Sequence, residues 1–268
     1  MASDSPLPQI DTSVAHSARV YDYWLGGKDN FAADRALGDA MVQAIPNLPT
    51  MARANRAFLG RAVRYLAAEA GVRQFLDIGT GIPTAANTHE VAQEVAPDSR
   101  VLYVDHDPIV LAHARALMTS TSQGLAEFIM ADLREPEAIL ADPALAKTLD
   151  LDQPVGLMLV AILMHFRDDE NPQGIVSTLV DALPSGSYVV ITHPTADFDA
   201  EAFNGASAAA AHAGITLVSR SKADIEEFFT GLEIVEPGVV PVLAWHPDEG
   251  PPEDPQAAYY WAGAARKP

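Results

Sequence analysis

This 268-residue sequence predicts an α/β fold, an open and mostly parallel sheet with helices on both faces. Three observations carry the prediction. Apolar runs ending in an acidic residue recur at near-equal spacing, with Asp105 lying 28 positions after Asp77 and Asp132 27 positions after Asp105. Helix-forming sequence fills the intervals, and that alternation builds a parallel sheet. Residues 154–163 are apolar without interruption, as a central strand covered on both faces requires. Near the end, residues 233–235 and 258–264 have the character of an antiparallel hairpin that closes the sheet.

In chain order, residues 1–12 are polar and proline-containing, the composition of a disordered lead-in. A helix over 13–25 places Tyr21, Trp24 and Leu25 on one face and stops at Gly26-Gly27. Lys28-Asp29-Asn30 forms a turn before a second helix over 32–44, and a third runs over about 50–70. On that third helix Arg53, Arg56 and Arg64 share roughly one side. Residues 13–70 thus form an N-terminal helical segment, a lid, ahead of a sheet domain over 71–268.

The sheet domain opens with Phe75-Leu76-Asp77-Ile78-Gly79-Thr80-Gly81-Ile82-Pro83-Thr84, a strand turning tightly into a helix expected over 84–95 with Thr84 as its cap. Asp107-Pro108 begins the helix after the second strand, and Asn171-Pro172 caps one reaching about 183. A fifth strand covers 186–193, and an alanine-rich helix covers 200–213. Ser221 and Asp224 form a capping box, Gly231 stops that helix, and 247–255 is an exposed, acidic, proline-rich loop.

The chemistry gathers at the first turn. Gly79 and Gly81 can adopt positive φ and lack a Cβ, so a ligand can lie against the backbone. The following helix N-terminus favours a negative group. A carboxylate ending the second strand sits where ribose hydroxyls are held. The sequence has neither a P-loop lysine nor the third glycine of a dinucleotide turn, that position being Thr84. A nucleoside site without provision for pyrophosphate suggests S-adenosyl-L-methionine.

On these residues the chain resembles the Rossmann-like S-adenosylmethionine-dependent methyltransferases. Residues 18–31, ARVYDYWLGGKDNF, are similar to the N-terminal signature of a bacterial subgroup of that family. The resemblance implies a seven-stranded sheet with a closing antiparallel hairpin. It also implies a first cofactor motif of Asp77, Gly79 and Gly81, with Thr80 between them, Asp105 at the ribose, and Asp132 at the adenine amino group. His106, Leu133 and Ala161 flank the same site, Thr84 lies beside the methionine moiety, and Arg19 or Arg56 is suited to its carboxylate. The small-molecule methyl acceptor is expected to meet Tyr21, Tyr23, Lys28, Asn87 and Phe166. His165 and His193, each following a strand at the ligand-binding edge, are the candidate bases.

Composition narrows the partners. Thirty-six acidic against seventeen basic residues give a formal charge of −19, which argues against nucleic acid as a partner. No cysteine is present, which excludes disulfides and thiolate metal sites and fits a cytoplasmic setting, and no histidines stand at zinc-ligand spacing. The longest apolar run is about half the ~20 residues a membrane helix needs. Two other readings remain open at this level, a nicotinamide-dependent oxidoreductase and a non-catalytic S-adenosylmethionine-binding module, as does oligomeric state.

Overall fold

A computed structural model describes residues 11–117 and 120–268. The expected lead-in therefore falls, for residues 1–10, outside the described residues. Helices α1 (Ser17–Leu25), α2 (Ala32–Ala44) and α3 (Leu48–Ala68) precede the sheet. The sheet then alternates β1 (Gln74–Ile78), α4 (Thr88–Val95), β2 (Arg100–Asp105), α5 (Pro108–Leu117) and β3 (Leu125–Met130). Two short helices, α6 (Pro136–Ala141) and α7 (Pro143–Thr148), lead to β4 (Val155–Val160), α8 (Pro172–Ala182) and β5 (Tyr188–Pro194). Next come α9 (Ala200–His212), α10 (Lys222–Glu227), β6 (Glu233–Ile234), β7 (Val240–Pro241) and β8 (Tyr260–Arg266).

Among the described residues these strands form one eight-stranded sheet of order β3-β2-β1-β4-β5-β8-β6, with β7 also paired to β8. Strands β1 to β5 are parallel, and β8 runs antiparallel to β5, β6 and β7. One more strand is present than the seven expected because the partner of β8 is broken in two. Pro237, which has no amide hydrogen to give a ladder, lies between the two pieces.

Strand alternation sorts the core into two layers. Phe75, Val101, Tyr103, Met158 and Val190 pack toward α3, joining Phe58, Leu66 and the fully buried Trp245. Leu76, Leu102, Val104, Leu157 and Leu159 face the other way, toward Ile139, Leu179, Ile225 and Phe229. The apolar run of β4 is thus buried on both faces, as its lack of alternation requires.

The N-terminal helices are tied together by a buried charge pair. Asp34 is fully buried, and its Oδ1 accepts from Arg19 Nε at 3.1 Å and from the His16 amide at 2.9 Å. Its Oδ2 accepts the Phe31 amide at 2.7 Å, which caps the start of α2. Sheet order reverses between β1 and β4, so the crevice beyond their carboxyl ends is the place for a ligand in an open α/β sheet.

Candidate functional site

A cavity of about 540 Å³ opens at that crevice, within the range of small-molecule sites. The β1–α4 turn forms its floor. Gly79 and Gly81 have φ of +77° and +65°, so both occupy the left-handed region that favours glycine. A Cβ on Gly79 would lie 2.6 Å from the Ile162 side chain, whereas one on Gly81 would meet nothing within 4 Å. The first glycine is therefore required by protein packing, and the second keeps space open.

Three acids stand around this turn in different states. Asp77 is buried, and its Oδ2 accepts the Thr88 hydroxyl at 2.6 Å. Burial pushes its carboxyl up to about 6, against the opposing pull of the Thr88 bond. Asp105 is buried too, and its two oxygens accept the Gly81 amide at 2.9 Å and the Asp107 amide at 3.0 Å. These bonds fix the carboxylate while leaving further lone pairs for a ligand. Asp132 lies two residues beyond β3, half-exposed, and accepts the Arg134 amide at 2.9 Å.

Helix α4 begins at Thr88 rather than at Thr84. Residues 79–87 form a longer connection than expected because Pro83 and Ala86, at φ +59°, interrupt helical geometry. Asn87 is the cap, and Glu90 accepts the Asn87 amide at 2.8 Å. The pair Asn87…Glu90 is a capping pattern that marks this start in the sequence.

The cavity brings together most of the expected site residues: Asp77, Gly79, Thr80, Gly81, Thr84, Asp105, His106, Asp132, Leu133, Ala161, Tyr21, Phe166 and His165 all line it. Five others lie elsewhere. Arg19 is spent on Asp34 and on the carbonyls of Asp11 and Val14. Tyr23 donates its hydroxyl to Asp39 at 2.8 Å, and Lys28 is exposed at the turn after α1. Asn87 accepts from Arg56 at 2.9 Å and from the Thr84 amide at 3.2 Å as part of the α4 cap. His193 sits inside β5, fully buried, with Nδ1 against the Pro194 carbonyl at 2.8 Å and Nε2 against Arg220 Nη1 at 2.9 Å. Burial lowers its pKa to about 3. With both nitrogens engaged, it has no place as a base.

His165 differs from His193. It follows β4 in a short 3₁₀ turn, and its Nδ1 lies 2.8 Å from the Thr216 carbonyl. A carbonyl only accepts, so Nδ1 carries the proton and Nε2 keeps a lone pair. Burial also lowers its pKa, which leaves the ring neutral near pH 7.

Arg56 is the cavity's half-buried cation. Its guanidinium donates to the Ala85 carbonyl and the Asn87 amide oxygen; among the described residues no carboxylate pairs with it directly, although its charge acts on Asp77. Sequence reasoning missed the apolar lining that Leu37 and Met41 of α2 and Phe203 and Ala206 of α9 give the same cavity. Tyr260 was missed as well, although the register opposite Pro194 places it at the carboxyl end of β5.

The fold and this crevice define an S-adenosyl-L-methionine-dependent methyltransferase. Residues 3–268 match the family model described as S-adenosyl methyltransferase, and the chain belongs to that family. It is similar to a protein of the DUF574 family from Streptomyces avermitilis, at 48% identity over 97% of this chain and 100% of that one, with a TM-score of 0.94. A candidate methyltransferase from Thermobifida fusca is 43% identical over 99% of each chain, with a TM-score of 0.89. Human N-acetylserotonin methyltransferase, solved with S-adenosylmethionine, shares the fold at 15% identity and a TM-score of 0.50, over 92% of this chain and 62% of that one. Comparison with curated proteins found no match. The family assignment sets aside the nicotinamide-dependent alternative. Among the described residues no helix is long and apolar enough to cross a membrane.

Proposed function

We propose that the chain transfers the cofactor's methyl group to an oxygen or nitrogen of a small-molecule acceptor, with His165 as the base. The observation that carries this reading is the tautomer of His165, whose Nε2 lone pair belongs to a side chain lining the same cleft as the glycine turn. When bound, the cofactor supplies an activated methyl on sulfur. The remaining work is to align the acceptor, exclude water and take up a proton.

The cleft's chemistry fits that cofactor. Asp105 is fixed with lone pairs to spare for ribose hydroxyls, and Asp132 is the acid for the adenine amino group. Asp77, with its raised pKa, gains a cationic partner in the cofactor's ammonium. Arg56 takes the methionine carboxylate in place of Arg19, since its present partners are neutral oxygens. Helices α1 to α3 serve as the lid over this site, and the cysteine-free composition supports a cytoplasmic setting.

The test is a His165→Gln protein, examined for S-adenosylhomocysteine affinity by calorimetry and for methyl transfer across a panel of phenol and amine acceptors. The expected result is unchanged affinity with transfer lowered about 100-fold or more. Unchanged transfer in the variant removes His165 from this role. Stoichiometric binding by the wild type with no turnover on any acceptor favours a non-catalytic binding protein.

A further inference from the structure

Resting on the methyl-transfer reading, we propose that the acceptor is an uncharged, largely apolar molecule seated between α1, α2, α3 and α9. One hydrogen-bond-accepting atom of this molecule is held by the Tyr260 hydroxyl. The cavity is a single space with two kinds of wall. The end at the β1–α4 turn is polar and acidic. The other is lined by Leu37, Met41, Met51, Leu59, Phe203 and Ala206, all buried side chains that border open space.

Near this second wall Asp22 is already engaged, and Arg56 is the cation given above to the cofactor's carboxylate. The Asp22 carboxylate accepts the Asp29 amide at 3.0 Å and Asn30 Nδ2 at 2.8 Å, and Arg56 is turned toward the start of α4. A carboxylate or ammonium on the acceptor would lose its hydration there and gain no partner of opposite charge. Apolar surface loses nothing by entering.

Polar groups at the wall separate in the same way. The Tyr21 hydroxyl donates to the Ala52 carbonyl at 3.0 Å and accepts from Asn55 Nδ2 at 3.0 Å. Asn55 Oδ1 accepts the Thr192 hydroxyl at 2.7 Å. Tyr260 lines the cavity at 4% exposure, and among the described residues its hydroxyl has no hydrogen-bond partner. Its oxygen is not sealed in protein but opens onto the cavity. Burial, with the Tyr21 oxygen nearby, pushes the Tyr260 pKa upward and keeps the group a donor. A neutral phenol can both donate and accept, and its proton is satisfied only by an acceptor atom such as a phenol, ether or carbonyl oxygen.

The experiment compares two probes on the protein saturated with S-adenosylhomocysteine: 1-naphthol, and 1-naphthoate, which has the same rings with a carboxylate. Calorimetry should show naphthol binding at least about tenfold more tightly than naphthoate. Tyr260→Phe should weaken naphthol about three- to tenfold, the worth of one neutral hydrogen bond, and leave S-adenosylhomocysteine affinity unchanged. Ala206→Phe, which fills the wall, should remove naphthol binding without touching the nucleoside end. Equal affinity for the two probes, indifference to Tyr260→Phe, or no naphthol binding by a protein that holds S-adenosylhomocysteine overturns the assignment. A wild-type protein that binds no S-adenosylhomocysteine overturns the methyl-transfer reading itself.

Discussion

Two glycines two positions apart do different work, and substitution separates their roles. Alanine at Gly79 meets both a left-handed φ of +77° and the Ile162 side chain 2.6 Å away. The backbone penalty is about 1 kcal/mol, and forcing Ile162 aside adds about 1–3 kcal/mol. Alanine at Gly81 meets the backbone penalty alone, since nothing lies within 4 Å of its Cβ. That open space is the cleft, so the added methyl occupies ligand volume. Gly79→Ala should therefore lower the melting temperature several degrees more than Gly81→Ala. Gly81→Ala should stay folded and bind S-adenosylhomocysteine at least about tenfold more weakly. Equal melting temperatures for the two variants would contradict this division of labour.

At the scale of elements, a hydrogen-bonded chain ties the lid to the sheet. Tyr21 of α1 bonds Asn55 of α3, Asn55 bonds Thr192 of β5, and the Thr192 hydroxyl accepts the Ala161 amide at 3.0 Å at the cleft's edge. Asn55 is buried, so Asn55→Ala strands partners on both sides and should cost about 2–3 kcal/mol. In a chain of this length that lowers the melting temperature by roughly 5–10 °C. Tyr21→Phe should cost about 1 kcal/mol, and the double variant should fall short of the sum because the sites share a bond. Full additivity in thermal melts would argue that the chain does not act as a unit. These elements also show what the sequence made legible. The strand and helix rhythm, Asp107-Pro108, Asn171-Pro172 and the Ser221–Asp224 box are local signals, and each matches an observed element. The start of α4 was misplaced because Thr84 and Asn87 are both acceptable caps, and the choice rests on Pro83 and the positive φ of Ala86. The sequence places His193 at a strand end, whereas β5 runs one residue past it. Alternation turns Thr192 toward Asn55 and His193 toward Arg220, and a strand end fixed only to within a residue or two cannot give that parity. Sequence spacing does not separate Arg19 from Arg56 as carboxylate partners; in the fold Asp34, fifteen positions from Arg19, claims the first.

For the whole molecule, two buried groups on different strands give the stability curve opposite slopes. Asp77, raised to about 6, holds a proton in the fold that the unfolded chain releases near 3.8. Its contribution is therefore fully present below about 3.8 and is lost as pH rises through 6. His193, lowered to about 3, must stay neutral in the fold while the unfolded ring takes a proton below 6.5. Its contribution is present above 6.5 and is lost as pH falls toward 3. Between about pH 4 and 6 the two nearly cancel, each having a slope of about 1.4 kcal/mol per pH unit. Asp77→Asn removes one of them. The variant should be more stable than wild type at pH 7–8, by up to about 3 kcal/mol, because it no longer buries a charge. Between pH 6 and 4 it should lose stability by about one proton's slope more steeply than wild type. The same variant should lose affinity for S-adenosylhomocysteine about ten- to a hundredfold at pH 7.5, as a charge-assisted contact to the ammonium disappears. Wild-type affinity should rise with pH up to about 6 as Asp77 ionises, whereas the variant's should be flat. Urea unfolding and calorimetry at half-unit pH steps read both effects on one pair of proteins. Parallel stability curves for wild type and variant would show that Asp77 is ionised throughout and that the cleft pays no desolvation cost for it.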